Sequence, residues 1–253
     1  MAWFEHDTGR VYYEEAGTGD VVLVTPGFSL NIDDLSALRD ALVDRYRVIA
    51  ADLPGSGRSG PQPREYTRTY HTDDARVLLA LLESLGIGRA HLIGHSDGGE
   101  SSLVMAALDP ERVRSVLTLG SLGYVDESLR QLLDVFEVVV DEPIEPLRAY
   151  SDFLKATYGA DNARAMVRSF TKATRLIIAD GGDIARARAK DIISPVMLIA
   201  GDHDPFAPPP LVRQFAGALP NAEVTQLPDA GHDLHRTHAD WLAETVKAWL
   251  AAH

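Results

Sequence analysis

The sequence predicts an α/β domain with a mostly parallel central sheet and helices on both faces of that sheet. Apolar runs of strand length alternate along the chain with longer stretches of helical periodicity. The runs at residues 21–24 and 46–51 lack a polar face, as is typical of strands that helices cover on both sides. Residues 121–194, which are mainly helical, interrupt this alternation and are far longer than a simple crossover needs. We therefore expect one α/β domain with a helical insertion.

The amino-acid composition excludes some classes of function and disfavours others. The chain has 253 residues, 45% of them hydrophobic, which is enough to bury a large core. Its formal net charge of −13 disfavours nucleic acid and anionic lipid as partners. It has no cysteine, which excludes disulfides, cysteine-bound metals and a thiol nucleophile. The N-terminus lacks the features of a signal peptide, and no apolar run approaches the roughly 18 residues of a membrane span. We expect a soluble, cytoplasmic protein.

The N-terminal half contains short strands and amphipathic helices. A turn rich in glycine at residues 17–19 separates two predicted strands. Thr72 is a candidate N-cap, with Asp73 and Asp74 in the first turn and Gly86 as the stop of the helix that follows. The predicted strands are 10–15, 20–25 and 46–51, and the predicted helices are 32–44 and the one after Thr72.

The C-terminal half repeats the pattern. A strand is predicted at 113–120, and after the helical insertion another apolar run begins near residue 195. Then follow a helix at 208–218, a strand at 223–227 and a helix at 239–250. In the last helix Trp241 and Trp249 share one apolar face, so we expect both to lie in the core.

Residues 55–60 match the pattern G-x-G-x-x-G after a strand, which raises the question of dinucleotide binding. The segment continues with Pro61 and Pro63, which are unsuited to a helix whose N-terminus would bind a pyrophosphate. We therefore expect a tight structural turn here and no nucleotide cofactor.

Residues 94–98, Gly-His-Ser-Asp-Gly, match the nucleophile elbow G-x-S-x-G between a predicted strand and a predicted helix. Such a turn holds its serine in strained backbone, so the neighbours of Ser96 must be small, and Gly94 and Gly98 meet that need. The helix that follows directs its positive dipole end at Ser96 and favours negative charge there. An ordinary glycine-rich joint between strand and helix is the alternative interpretation.

A serine hydroxyl needs a base and an orienting acid to become a good nucleophile. His232 is the candidate base, with His235 and His238 as rivals. Asp204 is the preferred acid over Asp202, because its position after the strand end lets the carboxylate reach a histidine in the next loop. Its role would be to hold His232 in the tautomer that accepts the serine proton. The order serine, acid, histidine is that of α/β-hydrolases.

Histidines and aspartates near the C-terminus also raise a metal site as an alternative. The candidates are His235, His238, Asp233 and the cluster 202–204. They match no zinc motif, and a H-E-x-x-H helix is missing. We therefore expect no metal in the chemistry.

The loop after the strand at 20–25 is the expected source of an oxyanion donor. In α/β-hydrolases a backbone N–H from this loop acts with the N–H that follows the nucleophile. These donors correspond to Phe28 and Asp97. Many α/β-hydrolases carry histidine at the position of Pro26. The alternative to an oxyanion donor in this loop is an ordinary Pro-Gly turn.

Along nearly its full length the chain resembles the α/β-hydrolase superfamily. The motifs at 26–28, 96–99, 201–205 and 231–235 resemble those of the valacyclovir hydrolase (biphenyl hydrolase-like) group. The excess length and helical periodicity of residues 121–194 predict a helical cap over an α/β-hydrolase core at 1–120 and 195–253. The resemblance implies cleavage of α-amino acid esters, with Asp97 binding the substrate ammonium. The alternative for Asp97 is a carboxylate that stabilises a helix N-terminus.

We expect a serine hydrolase that cleaves a small carboxylic ester through an acyl-enzyme. A lactonase, a C–C bond hydrolase or a small-amide aminopeptidase would use the same Ser96, Asp204 and His232. A hydrolase-like binding protein with slow turnover is the alternative from a different class.

Overall fold

A single eight-stranded sheet organises the protein, in the order β1-β2-β4-β3-β5-β6-β7-β8. The computed structural model describes residues 1–253 except for the side chain of Pro146. β1 and β2, and β2 and β4, pair antiparallel, whereas all other neighbours are parallel. The predicted mostly parallel sheet is confirmed. The strands are β1 (Ala2–His6), β2 (Gly9–Ala16), β3 (Val21–Thr25), β4 (Arg47–Ala51), β5 (Ala90–His95), β6 (Val113–Leu119), β7 (Val196–Gly201) and β8 (Ala222–Leu227).

Helices cover both faces of the sheet, as predicted. The side chains of α2, α3 and α7 pack into one buried apolar cluster, and those of α1 and α9 into another. Among the described residues, none of the helices combines the length and hydrophobicity needed to cross a membrane. The helices are α1 (Ser36–Leu42), α2 (Tyr70–Ser84), α3 (Asp97–Leu108), α4 (Arg130–Glu137), α5 (Arg148–Tyr158), α6 (Ala160–Ala179), α7 (Pro209–Ala216), α8 (Leu234–Thr237) and α9 (Ala239–Ala252).

The two clusters explain why the central strands lack a polar face. Successive side chains of a strand point to opposite faces, so Leu92 and Ile93 of β5 enter different clusters. Both are fully buried. The continuous apolar runs in the sequence therefore report burial on both sides of the sheet.

Several predicted boundaries were wrong. The helix expected at 32–44 is a 3₁₀ helix at Ile32–Leu35 followed by α1, because the side chains of Asn31 and Asp34 cap the short first turn. Helix α2 begins before Thr72, which is therefore not its N-cap. Strand β1 was missed because it lies at the sheet edge, where its side chains alternate between partial burial and exposure. Trp249 is buried, whereas Trp241 is only partly so.

Helices α4, α5 and α6 lie in the segment between β6 and β7 and share an apolar cluster. Phe28, from the loop after β3, is part of the same cluster. Its ring stacks on that of Phe170 of α6, with 3.9 Å between the ring centroids. Tyr158 of α5 donates a hydrogen bond to the carbonyl of Ser29 and accepts one from Gly57 N–H. The three helices therefore rest on loops at the carboxyl edge of the sheet, and the turn at 55–60 is one of these supports.

Candidate active site

The carboxyl ends of the parallel strands border a cavity of about 380 Å³. Loops after β3, β5, β6 and β8 line it from the sheet side, and α4, α5 and α6 contribute the opposite wall. Loops meet at this edge because parallel strands all end on the same side. Ser96 and His232, which are far apart in sequence, both line this cavity.

Ser96 follows β5 and precedes α3 in a strained conformation, with φ 51° and ψ −121°. Its N–H donates to the carbonyl of Leu119 at 2.8 Å, which fixes the turn against β6. The turn needs small neighbours: a Cβ on Gly94 would overlap the backbone of Gly98, and a Cβ on Gly98 would lie 2.5 Å from the carbonyl oxygen of Pro26. This is the geometry expected of a nucleophile elbow.

His232 and Asp204 form a charge-assisted pair. His232 Nδ1 lies 3.0 Å from Asp204 Oδ1 and 2.9 Å from Oδ2. Burial lowers the pKa of His232, but Asp204 outweighs this and holds it above its ordinary value. Burial raises the pKa of Asp204, but His232 and the N–H groups of Phe206 and Ala207 hold it below its ordinary value. The pair leaves the Nε2 of His232 free to exchange a proton with a neighbour.

Gly120, which follows β6, lies against this pair. Its φ is +66°, and a Cβ there would be 2.8 Å from His232 Nδ1 and 2.9 Å from Asp204 Oδ2. Only a residue without a side chain fits this position in its present conformation.

Ser96 and His232 line the same cavity and Asp204 pairs with His232, whereas the rivals Asp202 and His238 have other partners and His235 lies behind His232. Asp202 is exposed and accepts from the side chain of Gln226. His238 contacts the hydroxyl of Thr237. Among the described residues no hydrogen bond joins Ser96 Oγ to His232; in free enzymes such contacts often tighten only when substrate binds.

The two expected oxyanion donors border the same cavity. Phe28 and Asp97 both line it. Within the described residues, neither backbone N–H donates to a protein acceptor. Two unpaired N–H groups beside the serine can bind a developing negative charge.

The carboxylate of Asp97 is buried beside the cavity. Tyr70 Oη and His71 Nε2 lie 2.5 and 2.9 Å from Oδ1. Burial raises the pKa of Asp97, but its hydrogen bonds with His71 and Tyr70 help to hold it below its ordinary value. No described residue donates to Oδ2. Asp97 therefore offers a negatively charged oxygen that is free to bind a ligand.

Glu100, one turn along α3, is a second buried carboxyl beside the cavity. Its oxygens accept from Leu122 N–H at 2.8 Å and Gly123 N–H at 2.9 Å. Burial raises the pKa of Glu100 to about 7, although these N–H groups and His71 counteract the rise. Glu100 thereby connects α3 to the loop that carries Gly120.

The helical wall of the cavity is aromatic. Phe136, Tyr150, Phe153 and Phe170 line it. The same side chains also belong to the apolar cluster of the helical segment or pack against it, so they serve both its interior and the cavity wall. Arg236 is the only arginine or lysine among the described lining residues, and its guanidinium is paired with Asp34.

His95 and His235 form a buried cluster behind His232. The ring of His95 lies 4.8 Å from that of His232 and 4.3 Å from that of His235, between centroids. Burial lowers the pKa of His235 to about 4 and that of His95 well below its ordinary value. Both imidazoles are therefore neutral near pH 7.

Sequence reasoning missed Tyr70, His71, Glu100 and Gly120. Tyr70 and His71 were placed before a helix that was expected to begin at Thr72. Glu100 carried a usable signal, because a carboxylate on a helix predicted to pack beside the elbow strand is unusual in a buried position. Gly120 gave no signal, because the contact that excludes a Cβ comes from residues far along the chain.

Comparison with known proteins yields one family. Residues 20–239 match the family described as alpha/beta hydrolase fold. A solved structure of similar architecture is MGS-M2, an alpha/beta hydrolase enzyme from a deep-sea metagenome library, with a TM-score of 0.79 and 19% identity over 99% of this chain and 97% of that one.

Three curated relatives are similar along nearly the whole chain. A 2-hydroxy-6-oxononadienedioate/2-hydroxy-6-oxononatrienedioate hydrolase of Burkholderia vietnamiensis is 32% identical, over 95% of this chain and 91% of its own. Serine hydrolase BPHL of Mus musculus is 25% identical, over 95% and 83%. The acetyltransferase component of the acetoin cleaving system of Pseudomonas putida is 30% identical over 96% of this chain, which spans 66% of that relative's length.

Proposed function

Because this chain belongs to the α/β-hydrolase fold family, we propose that the hydrolase is a serine esterase that forms an acyl-enzyme. Ser96 is the nucleophile, His232 the general base and acid, and Asp204 the residue that orients His232. The observation that carries the proposal is the pairing of His232 with Asp204 beside the cavity that Ser96 also lines.

The reaction proceeds in two halves. Ser96 Oγ attacks the ester carbonyl while His232 takes its proton, and the N–H groups of Phe28 and Asp97 bind the oxyanion. The imidazolium of His232 then gives the proton to the leaving alcohol. Water repeats the sequence on the acyl-enzyme and releases the acid. Each oxyanion donor is typically worth about 10²–10³ in kcat.

The substrate class follows from the charges beside the cavity. Asp97 Oδ2 is free of protein donors, and Tyr70 and His71 hold Oδ1. A cationic group on the acyl side of the substrate can pair with Oδ2 while its carbonyl lies at Ser96. We therefore propose a small α-amino acid ester, which is also the substrate class that the resemblance to the valacyclovir hydrolase group implies.

A C–C bond hydrolase is the second candidate, favoured by the 32% identity to the Burkholderia relative. The substrates in that relative's name are dicarboxylates, which need cationic partners. Arg236, already paired with Asp34, is the only arginine or lysine among the described lining residues, which also include the carboxyls of Asp97 and Glu100. These charges favour a cationic over a dianionic substrate.

Residues 121–194 act in this proposal as a cap subdomain over a core of residues 1–120 and 195–253. The apolar wall formed by α4, α5 and α6 supports this division, because it excludes water from one side of the cavity. Substrate size is then set by the cap aromatics.

The first experiment tests the nucleophile. A fluorophosphonate probe should label Ser96, and Ser96→Ala should lose ester hydrolysis and labelling together. Ser101→Ala is the matched control, since it removes a buried hydroxyl from α3, the helix that follows Ser96, and this hydroxyl has no hydrogen-bond partner among the described residues. A folded Ser96→Ala variant with undiminished esterase activity would discard the mechanism.

The second experiment tests Asp97. Kinetics on α-amino esters and their deaminated analogues should show a preference for the amino form of about 10- to 100-fold, the worth of a hydrogen bond between charged groups. Asp97→Asn should abolish the preference while leaving the backbone donor. Equal rates for both substrates in the wild type would remove the ammonium site and leave the triad proposal intact.

A further inference from the structure

The side chains of His95, Asp233 and His235 lie together outside the proposed catalytic set. One potential ligand atom from each can be chosen so that all three lie within 4.8 Å of one another. His95 Nε2 is 4.0 Å from Asp233 Oδ1. Two imidazoles and one carboxylate form a donor set that binds zinc in other proteins.

The two histidines are unusual for buried polar groups. His95 is 1% exposed and His235 is 4% exposed. Neither ring nitrogen of His235, nor Nδ1 of His95, has a hydrogen-bond partner among the described residues. Unpaired buried polar atoms are costly, and each one requires an explanation. Asp233 is exposed and lines the cavity.

We propose that His95, Asp233 and His235 form a binding site for Zn²⁺ and that the bound ion inhibits the enzyme. Zinc binds nitrogen and oxygen donors at about 2.0–2.2 Å. Donors around one ion are then about 3.3 Å apart, so His95 Nε2 and Asp233 Oδ1, at 4.0 Å, must approach by about 0.7 Å, and the most distant pair of the three, within 4.8 Å, by up to about 1.5 Å.

Inhibition follows from the position of His95 beside His232. His95 Nε2 is 3.2 Å from the carbonyl oxygen of His232, and ligation through this nitrogen breaks that hydrogen bond. The dication also opposes the positive charge that His232 must carry during proton transfer. We expect saturating Zn²⁺ to lower kcat/KM about tenfold or more. The ion acts as an inhibitor, and no catalytic step uses it.

The site is tested on the full chain by calorimetric titration with Zn²⁺, and by the visible absorption of Co²⁺ as a second probe of ligation. Asp233→Asn and His235→Asn each remove one ligand, and His238→Asn is the matched control because it removes a nearby histidine outside the cluster. Esterase inhibition by Zn²⁺ is measured on the same proteins.

The proposal predicts one Zn²⁺ per chain, an affinity at least about tenfold weaker in Asp233→Asn and His235→Asn, and an unchanged affinity in His238→Asn. Loss of inhibition should parallel loss of binding. If His235→Asn does not fold, the variant at exposed Asp233 still decides. The absence of saturable binding, or affinity and inhibition that both ligand variants retain, would overturn the site. The binding result is obtained without substrate and is independent of the proposed esterase activity, whereas the inhibition rests on that proposed function.

Discussion

Replacing Gly120 by alanine should damage catalysis far more than folding. The new Cβ would lie 2.8 Å from His232 Nδ1 and 2.9 Å from Asp204 Oδ2, whereas ordinary contacts begin near 3.4 Å. The histidine–aspartate pair must therefore move by roughly 0.5 Å. Since misplacement of reacting groups by about 1 Å can cost about 10²-fold, we expect kcat/KM to fall by about 10- to 100-fold.

The positive φ of Gly120 adds a backbone cost that must be separated from this effect. An alanine in the left-handed region costs roughly 1–2 kcal/mol. Gly86 is the matched control, because its φ of +68° nearly equals the +66° of Gly120, while a Cβ there would meet nothing within 4 Å.

Ester kinetics and urea unfolding of Gly120→Ala and Gly86→Ala are to be measured side by side. Both variants should lose similar amounts of unfolding free energy from backbone strain, but Gly86→Ala should keep wild-type kcat/KM. The contact of residue 120 with the His232–Asp204 pair has no catalytic effect if Gly120→Ala retains full activity. The same conclusion follows if Gly86→Ala loses as much kcat/KM as Gly120→Ala.

Three further predictions concern groups around the cavity. Because the protonated imidazole accepts no proton, the raised pKa of His232 should place the acidic limb of the kcat/KM profile above pH 6.5. Asp204→Asn should move this limb to lower pH and reduce the plateau value of kcat/KM by about 10³–10⁴-fold. A limb that does not move would contradict the role assigned to Asp204. The pKa of Glu100 is raised to about 7 from 4.5, so its contribution to stability is present below pH 4.5 and falls by roughly 3 kcal/mol as pH rises toward 7. In urea unfolding at several pH values, Glu100→Gln should flatten the dependence of the unfolding free energy on pH over this window. An unchanged slope would refute the titration of Glu100. Phe170→Ala should raise KM about tenfold with kcat nearly unchanged, because it removes an apolar wall of the cavity worth about 1–2 kcal/mol. Steady-state kinetics measure this effect, with Phe170→Leu as the milder comparison. A loss confined to kcat would contradict this role of Phe170.

The interior of the fold could be predicted from local sequence because burial leaves a local signature. Residues 21–24 and 46–51 read as strands with no polar face, and the structure covers both sides of them. The edge strand β1 has no such signature, because its side chains are only partly buried. Helix starts were less certain, since α2 begins without a side-chain cap.

The residues of the candidate site likewise differ in whether local sequence predicts them. Ser96, Asp204 and His232 stand in short patterns with fixed chemistry, so each could be named from its neighbours. Tyr70 and His71 matter only because folding brings α2 beside Asp97. Such contacts join distant parts of the chain, so the sequence of either segment alone does not predict them.

Tyr158 adds a polar connection between the helical segment and two loops of the sheet, beside the stacking of Phe28 on Phe170. Its hydroxyl bridges the carbonyl of Ser29, next to the proposed oxyanion donor Phe28, and the N–H of Gly57. An outward swing of α5 that admits substrate must either break this bridge or drag the loop at Ser29 with it. In the proposed mechanism, moving α5 outward and displacing the loop that carries the proposed oxyanion donor are then one event, so that the proposed oxyanion site is complete only while α5 stays in place.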